Sequence, residues 1–346
     1  MEEYNKYMGR ALQLAAMGAD KASPNPMVGA VIVRNDKIIG EGYHIAYGGP
    51  HAEVNAINSV KDCAFLKEST MYVTLEPCSH YGKTPPCSEL IIKTGIPKVI
   101  IGCLDPFEKV QGKGVEMLRN AGIEVVTGVM EQECTELNRK FITAHRNKRP
   151  YVLLKWAQSA DGFIDHERTD RGGQAIISNP VTSMWTHRER ARYDGIMVGS
   201  NTVVKDNPSL TVREWIGKNP VRIVLDRDGD TIPEDSKILT DGGKTLIFSY
   251  NKEGMSGSAE YIKLDTGTGI LEHILKELYR RNIISVMVEG GAVLLQKFIE
   301  NDLWDEARIE YGACCLYKGV KAPVLEGIPV LIEKHGVNSV ETLMRR

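Results

Sequence analysis

The sequence predicts two α/β domains in tandem, the first built on a mixed sheet with helices on both faces. Three observations lead there. At 346 residues the chain exceeds the ~100–200 that one core usually organises. Strand-patterned and helix-patterned segments alternate through the first half and begin again in the second. Between the halves lies "RNKRP", Arg146 to Pro150, a charged stretch whose proline disfavours helix before it. The boundary is placed there, giving domains of residues 1–147 and 148–346.

The chain should open on a helix, because Met8, Leu12 and Ala15 recur at helical spacing. "VGAVIVR" and "KIIGEGY" read as strands around an Asn35-Asp36 turn, hence a hairpin. There follow a helix at "HAEVNAINSV", a strand at "TMYVTL", a short helix at "CSELIIKTG" and a buried strand at "KVIIGC". "GKGVEMLRNAG" is a helix closed by Gly122, "IEVVTG" a strand, and "EQECTELNRKFITAH" one further helix. A hairpin continued by strand–helix repeats gives the mixed, doubly covered sheet. The second half restarts with the strand "YVLLKWA" and a helix around "PVTSMWTHRERAR". Strands "GIMVGS", "VRIVLD", "TLIFSY" and "SVMVEGG" follow, separated by loops and helices. Cys314-Cys315 reads as core or strand packing.

Composition narrows the function. Apolar content of 42% and charged content of 25% are those of an ordinary soluble globular protein. A net charge of −2 and a pI near 6.5 leave no electrostatic footprint for nucleic acid or an anionic membrane. No window approaches the ~20 apolar residues of a membrane span, and the acidic "MEEYNKYMGRALQLAAMGADKA" makes a poor signal peptide. Seven cysteines, an odd number, favour reduced thiols in a cytoplasm over a disulfide framework. Cys63, Cys78, Cys87, Cys103 and Cys134 all fall in the first half, which puts any metal chemistry there.

"GPHAEVNAI" and "LEPCSHYGKTPPC" carry that chemistry. His51 and Glu53 stand at a helix start, Cys78 follows a strand, and Cys87 closes the next loop. One imidazole and two thiolates are ligands zinc prefers, with a fourth tetrahedral position left for water, whose pKa then falls towards ~7. Glu53 would shuttle the proton to a leaving nitrogen, as in zinc-dependent base deaminases. The bland reading is a solvated helix start and two small buried thiols. The conjunction of His-Ala-Glu, Glu-Pro-Cys and a second cysteine outweighs it. The usual Pro-Cys-x-x-Cys spacing is stretched here by "SHYGKTPP", which reads as a specificity loop offering His80, Lys83 and Thr84.

"NPMVGAVIV", "GYH", "PHAEVNAI", "EPCSHYGKTPPC" and "DP" at Asp105 together resemble the deaminase half of the bifunctional riboflavin-biosynthesis deaminase/reductase family. "LKWAQSADG", "DNPSLTVR" and "VEGGAVLL" resemble its reductase half, so the likeness covers nearly the whole chain. It implies a cytidine-deaminase-like mixed-sheet domain followed by a dihydrofolate-reductase-like α/β domain. The implied zinc ligands are His51, Cys78 and Cys87, with Glu53 catalytic. Asn25, His44, His80, Lys83, Thr84 and Asp105 would hold the pyrimidine and its ribosyl phosphate. NADPH would face Ala157, Ile176, Thr202, Asp206 and the run Gly290, Gly291, Ala292, Val293, Leu294 and Leu295. Lys155, Gln174, Arg190, Leu210, Arg213 and Glu289 would meet the reductase substrate. Lys155 and Asp161 sit where an active-site rim is expected, though a snorkelling lysine and a turn aspartate read equally well. Departures are Phe107 where many relatives have asparagine, Ile176 where many have tryptophan, and the polar "DHERTDRGGQ".

The expected function is hydrolytic deamination of a diaminopyrimidinone bearing a phosphoribosylamino group, then NADPH-dependent reduction of the ribosyl chain. The expected partner is that small molecule, with neither nucleic acid nor membrane; the chain is expected in the cytoplasm, and homo-oligomerisation stays open. Two rivals remain at this point. A nucleoside or transfer-RNA base deaminase with an accessory α/β domain shares the zinc core but would normally need a basic surface. A non-catalytic scaffold would have its zinc closed by a fourth protein ligand, His80 being the candidate.

Overall fold

The computed structural model of the chain describes residues 2–81, 85–106, 112–169, 171–265 and 269–345. Lys83, Thr84 and Phe107 lie outside them. The chain forms two compact units, Met1–Lys148 and Arg149–Arg346. Among the described residues no helix is long and apolar enough to cross a membrane.

In the first unit, helix α1 (Glu2–Ala16) leads into the hairpin β1 (Gly29–Arg34) and β2 (Lys37–Tyr43). Asn35 and Asp36 have φ of 50° and 58°, the left-handed pair that a two-residue hairpin turn needs. Next come α2 (Ala52–Ser59), β3 (Thr70–Leu75), α3 (Cys87–Thr94), β4 (Lys98–Cys103), α4 (Lys113–Asn120) and β5 (Glu124–Thr127). The sheet order is β2-β1-β3-β4-β5. Strand β1 is antiparallel to both neighbours, while β3, β4 and β5 run parallel. Alternation along the strands sends Ile32, Met71, Val73, Val99 and Ile101 against α2, α3 and α4. Val31, Tyr72 and Ile100 point instead towards Met8 and Ala11 of α1. Each fully buried aliphatic side chain contributes ~1.5–3 kcal/mol, so this two-faced pattern specifies the sheet.

The single helix expected over 131–145 is two, α5 (Glu131–Leu137) and α6 (Arg139–Asn147). The Asn138 side chain breaks it. Its Oδ1 accepts from Met27 N and its Nδ2 donates to Met27 O, both at 2.8 Å. Pinning the amide to a distant backbone takes Asn138 out of helical geometry (φ −102°, ψ 19°).

The second unit opens with β6 (Tyr151–Gln158), β7 (Phe163–Asp165), α7 (Pro180–Arg192), β8 (Gly195–Gly199), α8 (Ser200–Asp206) and β9 (Val221–Leu225). Then come α9 (Lys237–Thr240), β10 (Thr245–Ser249), β11 (Gly254–Ser256), β12 (Ala259–Lys263), α10 (Ile270–Arg280), β13 (Ser285–Gly290) and α11 (Ala292–Glu300). Strands β14 (Glu306–Tyr311), β15 (Val320–Lys321), β16 (Leu331–His335) and β17 (Asn338–Met344) close the unit. The large sheet has the order β11-β12-β10-β9-β8-β13-β6-β14-β17-β16, and β7 pairs separately with β15. From β12 to β14 all neighbours are parallel. Ligands gather at the carboxyl ends of such strands, where the chain turns into helices. Helix α7 starts on a capping box in which the Asn179 and Thr182 side chains satisfy each other's backbone amides, behind Pro180. Strand β14 ends at Tyr311, so Cys314 and Cys315 lie in a loop, half-buried and exposed, and not in core or strand packing.

Candidate active sites

Three elements deliver the candidate metal-binding side chains of the first unit. His51 is the N-cap of α2, and Glu53 sits in its first turn. Cys78 leaves the end of β3, and Cys87 opens α3. His51 Nδ1 lies 3.6 Å from Cys78 Sγ and 3.3 Å from Cys87 Sγ, and the three donor atoms lie within 4.8 Å of one another. Both sulfurs are unbridged. One imidazole nitrogen and two sulfurs converging this closely fit zinc's donor preference. Among the described residues no fourth histidine, cysteine or carboxylate joins the cluster, and His80 is exposed.

The electrostatics set the two thiols apart. Cys78 is pulled down to about 4, first by its contact with Cys87 and then, against burial, by His51 and the Cys87 backbone N–H, which donates to its sulfur at 3.3 Å. Cys87, facing that negative charge inside the protein, is pushed up. Glu53 is 3% exposed, and burial, then the Cys78 charge, push its carboxyl up to about 7. By contrast, burial raises Cys103 and Cys134 to about 12, as expected of packing thiols.

Glu76, which sequence reasoning passed over, anchors the cysteine-bearing turn. Its buried carboxylate accepts from the backbone N–H of Gly112 at 3.0 Å and Gly114 at 2.9 Å, and more loosely from Asp105 and Val115. The start of α4 is thereby held against Pro77, so close that a Cβ on Gly114 would sit 2.1 Å from the Pro77 oxygen. The signal was available, since Glu76 directly precedes Pro77-Cys78. Asp105 lies in the same neighbourhood and is 8% exposed.

His44 is buried with both ring nitrogens engaged. Nδ1–H donates to Pro50 O at 3.0 Å, and Nε2 accepts from Asn25 Nδ2 at 3.1 Å, which fixes the neutral tautomer. Burial lowers its pKa, consistent with that state. Asn25 is thus oriented by His44 and keeps its amide oxygen available. The His44 ring also meets the His51 ring edge-on, with centroids 5.6 Å apart.

In the second unit the carboxyl ends of β6, β8, β9 and β13 surround a cavity of about 1180 Å³. It brings together nearly all the residues expected there: Lys155, Ala157, Gln174, Ile176, Arg190, Thr202, Asp206, Arg213 and the run from Glu289 to Leu295. Leu210 lines an adjoining cavity of about 540 Å³. Gly291 (φ 76°) caps α11 with no side chain over the helix amides. A Cβ added at Gly290 or Gly291 would meet Thr202 at 3.2 to 3.4 Å, so the glycines keep a cradle open at a helix N-terminus. Asp226, at the end of β9, is fully buried with neither carboxylate oxygen hydrogen-bonded. An uncapped helix start, a glycine cradle and a carboxylate with spare acceptors fit a dinucleotide's pyrophosphate and hydroxyl groups.

Arg190 and Glu289 form a bidentate pair at 2.7 and 2.6 Å, nearly out of solvent. Lys155 lies 4.0 Å from Glu310, a buried carboxylate that also accepts from Ser178 Oγ and Asn338 Nδ2, each at 2.6 Å. Asp161 is a turn residue, accepting from Ser159 Oγ and from the Leu316 and Tyr317 amides. Arg168, from the polar stretch after β7, pairs with Asp165 and Asp206. Ile176 stands 87% exposed at the cavity edge.

Comparison with known proteins matches both units. Residues 1–103 match the cytidine and deoxycytidylate deaminase zinc-binding region, and residues 150–327 match the RibD C-terminal domain. The riboflavin biosynthesis protein RibD of Bacillus amyloliquefaciens is 42% identical over 334 residues, 94% of this chain and 88% of the relative. That of Aquifex aeolicus is 40% identical over 347 residues, covering 98% and 92%. Among solved structures, a diaminohydroxyphosphoribosylaminopyrimidine deaminase/5-amino-6-(5-phosphoribosylamino)uracil reductase from Thermotoga maritima aligns over 99% of both chains with a TM-score of 0.89 and 38% identity. Acinetobacter baumannii RibD aligns over 99% of both with a TM-score of 0.90 and 32% identity.

Proposed function

The chain belongs to the RibD family of bifunctional riboflavin-biosynthesis deaminase/reductases, and on that premise we propose which of its residues perform each reaction. It combines a zinc-dependent deaminase with a reductase that uses a nicotinamide cofactor. Residues 1–147 are assigned to deamination and 148–346 to reduction. The observation that carries the first assignment is the convergence of His51, Cys78 and Cys87 beside a fully buried Glu53.

His51, Cys78 and Cys87 would hold zinc, which when bound would supply a water acidified towards neutral pH. Glu53 takes that water's proton and hands it to the amino nitrogen of the pyrimidine, so that ammonia leaves and a ring carbonyl remains. Burial, and then the Cys78 charge, raise its carboxyl to about 7, a pKa suited to both halves of the transfer. Asn25, set by His44, reads the ring edge, with Asp105 alongside. Lys83 and Thr84 are assigned to the ribosyl phosphate and His80 to the same loop, on their chemistry as a cation, a hydroxyl and a switchable donor.

In the second unit the cofactor is NADPH, which supplies the hydride chemistry. Thr202, Asp206 and residues 290–295 bind it around the α11 N-terminus, with Ala157 and Ile176 alongside. Lys155, Gln174, Leu210 and Glu289 hold the opened ribosyl chain, and Arg213 takes its phosphate, having the exposed guanidinium there. Arg190 acts through Glu289, since three of its N–H groups are already given to protein oxygens. The working partner is the small-molecule pyrimidine, and the unbridged thiols support a cytoplasmic setting.

Purified zinc-loaded protein given the diaminopyrimidine phosphate and NADPH should release ammonia first, with NADPH absorbance falling after a lag. NADPH oxidation with no ammonia, or release of ammonia from transfer RNA instead, would overturn the assignment.

A further inference from the structure

The cavity of the second unit contains a histidine that neither the motifs nor the family assignment uses. His187 lies on α7 one turn before Arg190, is 3% exposed and lines the same cavity. Residues three apart on a helix share a face, and here both reach one loop. Arg190 Nη1 donates to Thr211 O at 3.2 Å, while His187 Nδ1 accepts from the backbone N–H of Arg213 at 2.9 Å. A donor and an acceptor on one helix face thus grip alternate residues of the chain. The segment needs gripping, because Leu210 just before it is held at φ 53°, a left-handed conformation disfavoured for a residue with a side chain. The Asn219 side chain adds one more hold, on Val212 N at 2.8 Å.

The consequence falls on Arg213. Its backbone is fixed while its exposed side chain donates to Thr211 Oγ1 at 3.2 Å. We propose that His187 is a positioning residue of the reduction, which with Arg190 clamps residues 211–213 so that Arg213 is presented to the phosphate of the substrate. This rests on the assignment of Arg213 to that phosphate.

The clamp works only with a neutral imidazole, because a protonated ring has no acceptor for the Arg213 amide. The surroundings favour that form. Burial lowers the His187 pKa, the cations Arg190 and Arg213 lower it further, and Glu214 (3.9 Å from Nε2) and Glu289 oppose them. The clamp is therefore closed at neutral pH and opens on acidification.

The test is the reduction step in the full-length, zinc-loaded protein, with the deaminated phosphorylated intermediate and its dephosphorylated counterpart as substrates. Arg213→Ala should raise KM for the phosphorylated compound alone. His187→Leu should raise the same KM about tenfold, the size of one lost hydrogen bond, with kcat within about twofold. The double variant should be no worse than Arg213→Ala. His187→Asn, whose amide oxygen can stand where Nδ1 accepts, should recover most of the loss, and the acid-side rise in KM expected of the parent should shrink in it. A His187→Leu effect that is equal for both substrates, that falls on kcat, or that adds to Arg213→Ala would overturn the proposal. So would an asparagine variant no better than leucine while both still bind NADPH. If the leucine variant does not bind NADPH, the parent and asparagine pH profiles decide, and identical acid limbs would overturn it. An unchanged KM in Arg213→Ala would instead remove the phosphate assignment itself.

Discussion

Glu53→Ala is expected to lose ammonia release by a factor of at least ~10²–10⁴ while retaining one zinc per chain. The separation follows from position. Glu53 stands in the first turn of α2, beside the ligand cluster but outside it, so its removal leaves His51, Cys78 and Cys87 in place. What goes is the carboxylate assigned to take a proton from water and return it to nitrogen. The site is closed enough that bulk water cannot substitute, for the carboxyl is 3% exposed. Metal analysis together with an ammonia assay checks both halves. Substantial residual turnover would take Glu53 out of the mechanism.

Arg190→Leu is expected to cost the second unit ~3–5 kcal/mol and abolish the reduction, because it strands a buried carboxylate. Burial alone would raise the Glu289 pKa; the Arg190 charge and hydrogen bonds outweigh it, so the folded value lies below the ordinary one. The sign for pH follows. A carboxyl depressed on folding contributes its stability in full above its unfolded pKa and loses it as pH falls through the folded value. Unfolding followed by tryptophan fluorescence, which reports the second unit because Trp156, Trp185, Trp215 and Trp304 all lie there, should therefore show an acid limb below the ordinary carboxylate range, flattened in Glu289→Gln. Deaminase turnover at neutral pH should persist in Arg190→Leu. A variant that unfolds like the parent and still reduces substrate would show that the pair is dispensable.

The sequence made legible whatever repeats or stands in a compact motif. The alternation in β1, β3 and β4 announced a sheet buried on both faces, and Asn35-Asp36 announced its turn. His-Ala-Glu and Glu-Pro-Cys named the ligand cluster because the chemistry permits few other residues there. Illegible were features in which one side chain reaches a distant backbone. Asn138 reads as an ordinary helical residue until Met27 is seen beside it. Glu76 reads as a strand end until the α4 amides arrive, and His187 as one more polar residue on a charged helix. Cys314 and Cys315 misled for a related reason, since an apolar-looking pair says nothing of where its strand stops. Such contacts are set by tertiary placement, which local periodicity does not encode.

Deamination by this chain requires an open zinc centre of one imidazole and two thiolates. X-ray absorption at the zinc edge of the loaded protein measures that directly. The expected spectrum has two sulfurs near ~2.3 Å and two light atoms near ~2.0–2.1 Å, only one of them an imidazole, with Cys78→Ser removing one sulfur. Two imidazoles beside the two sulfurs would mean a fourth protein ligand and a structural site. A zinc shell without sulfur would contradict the ligand set outright.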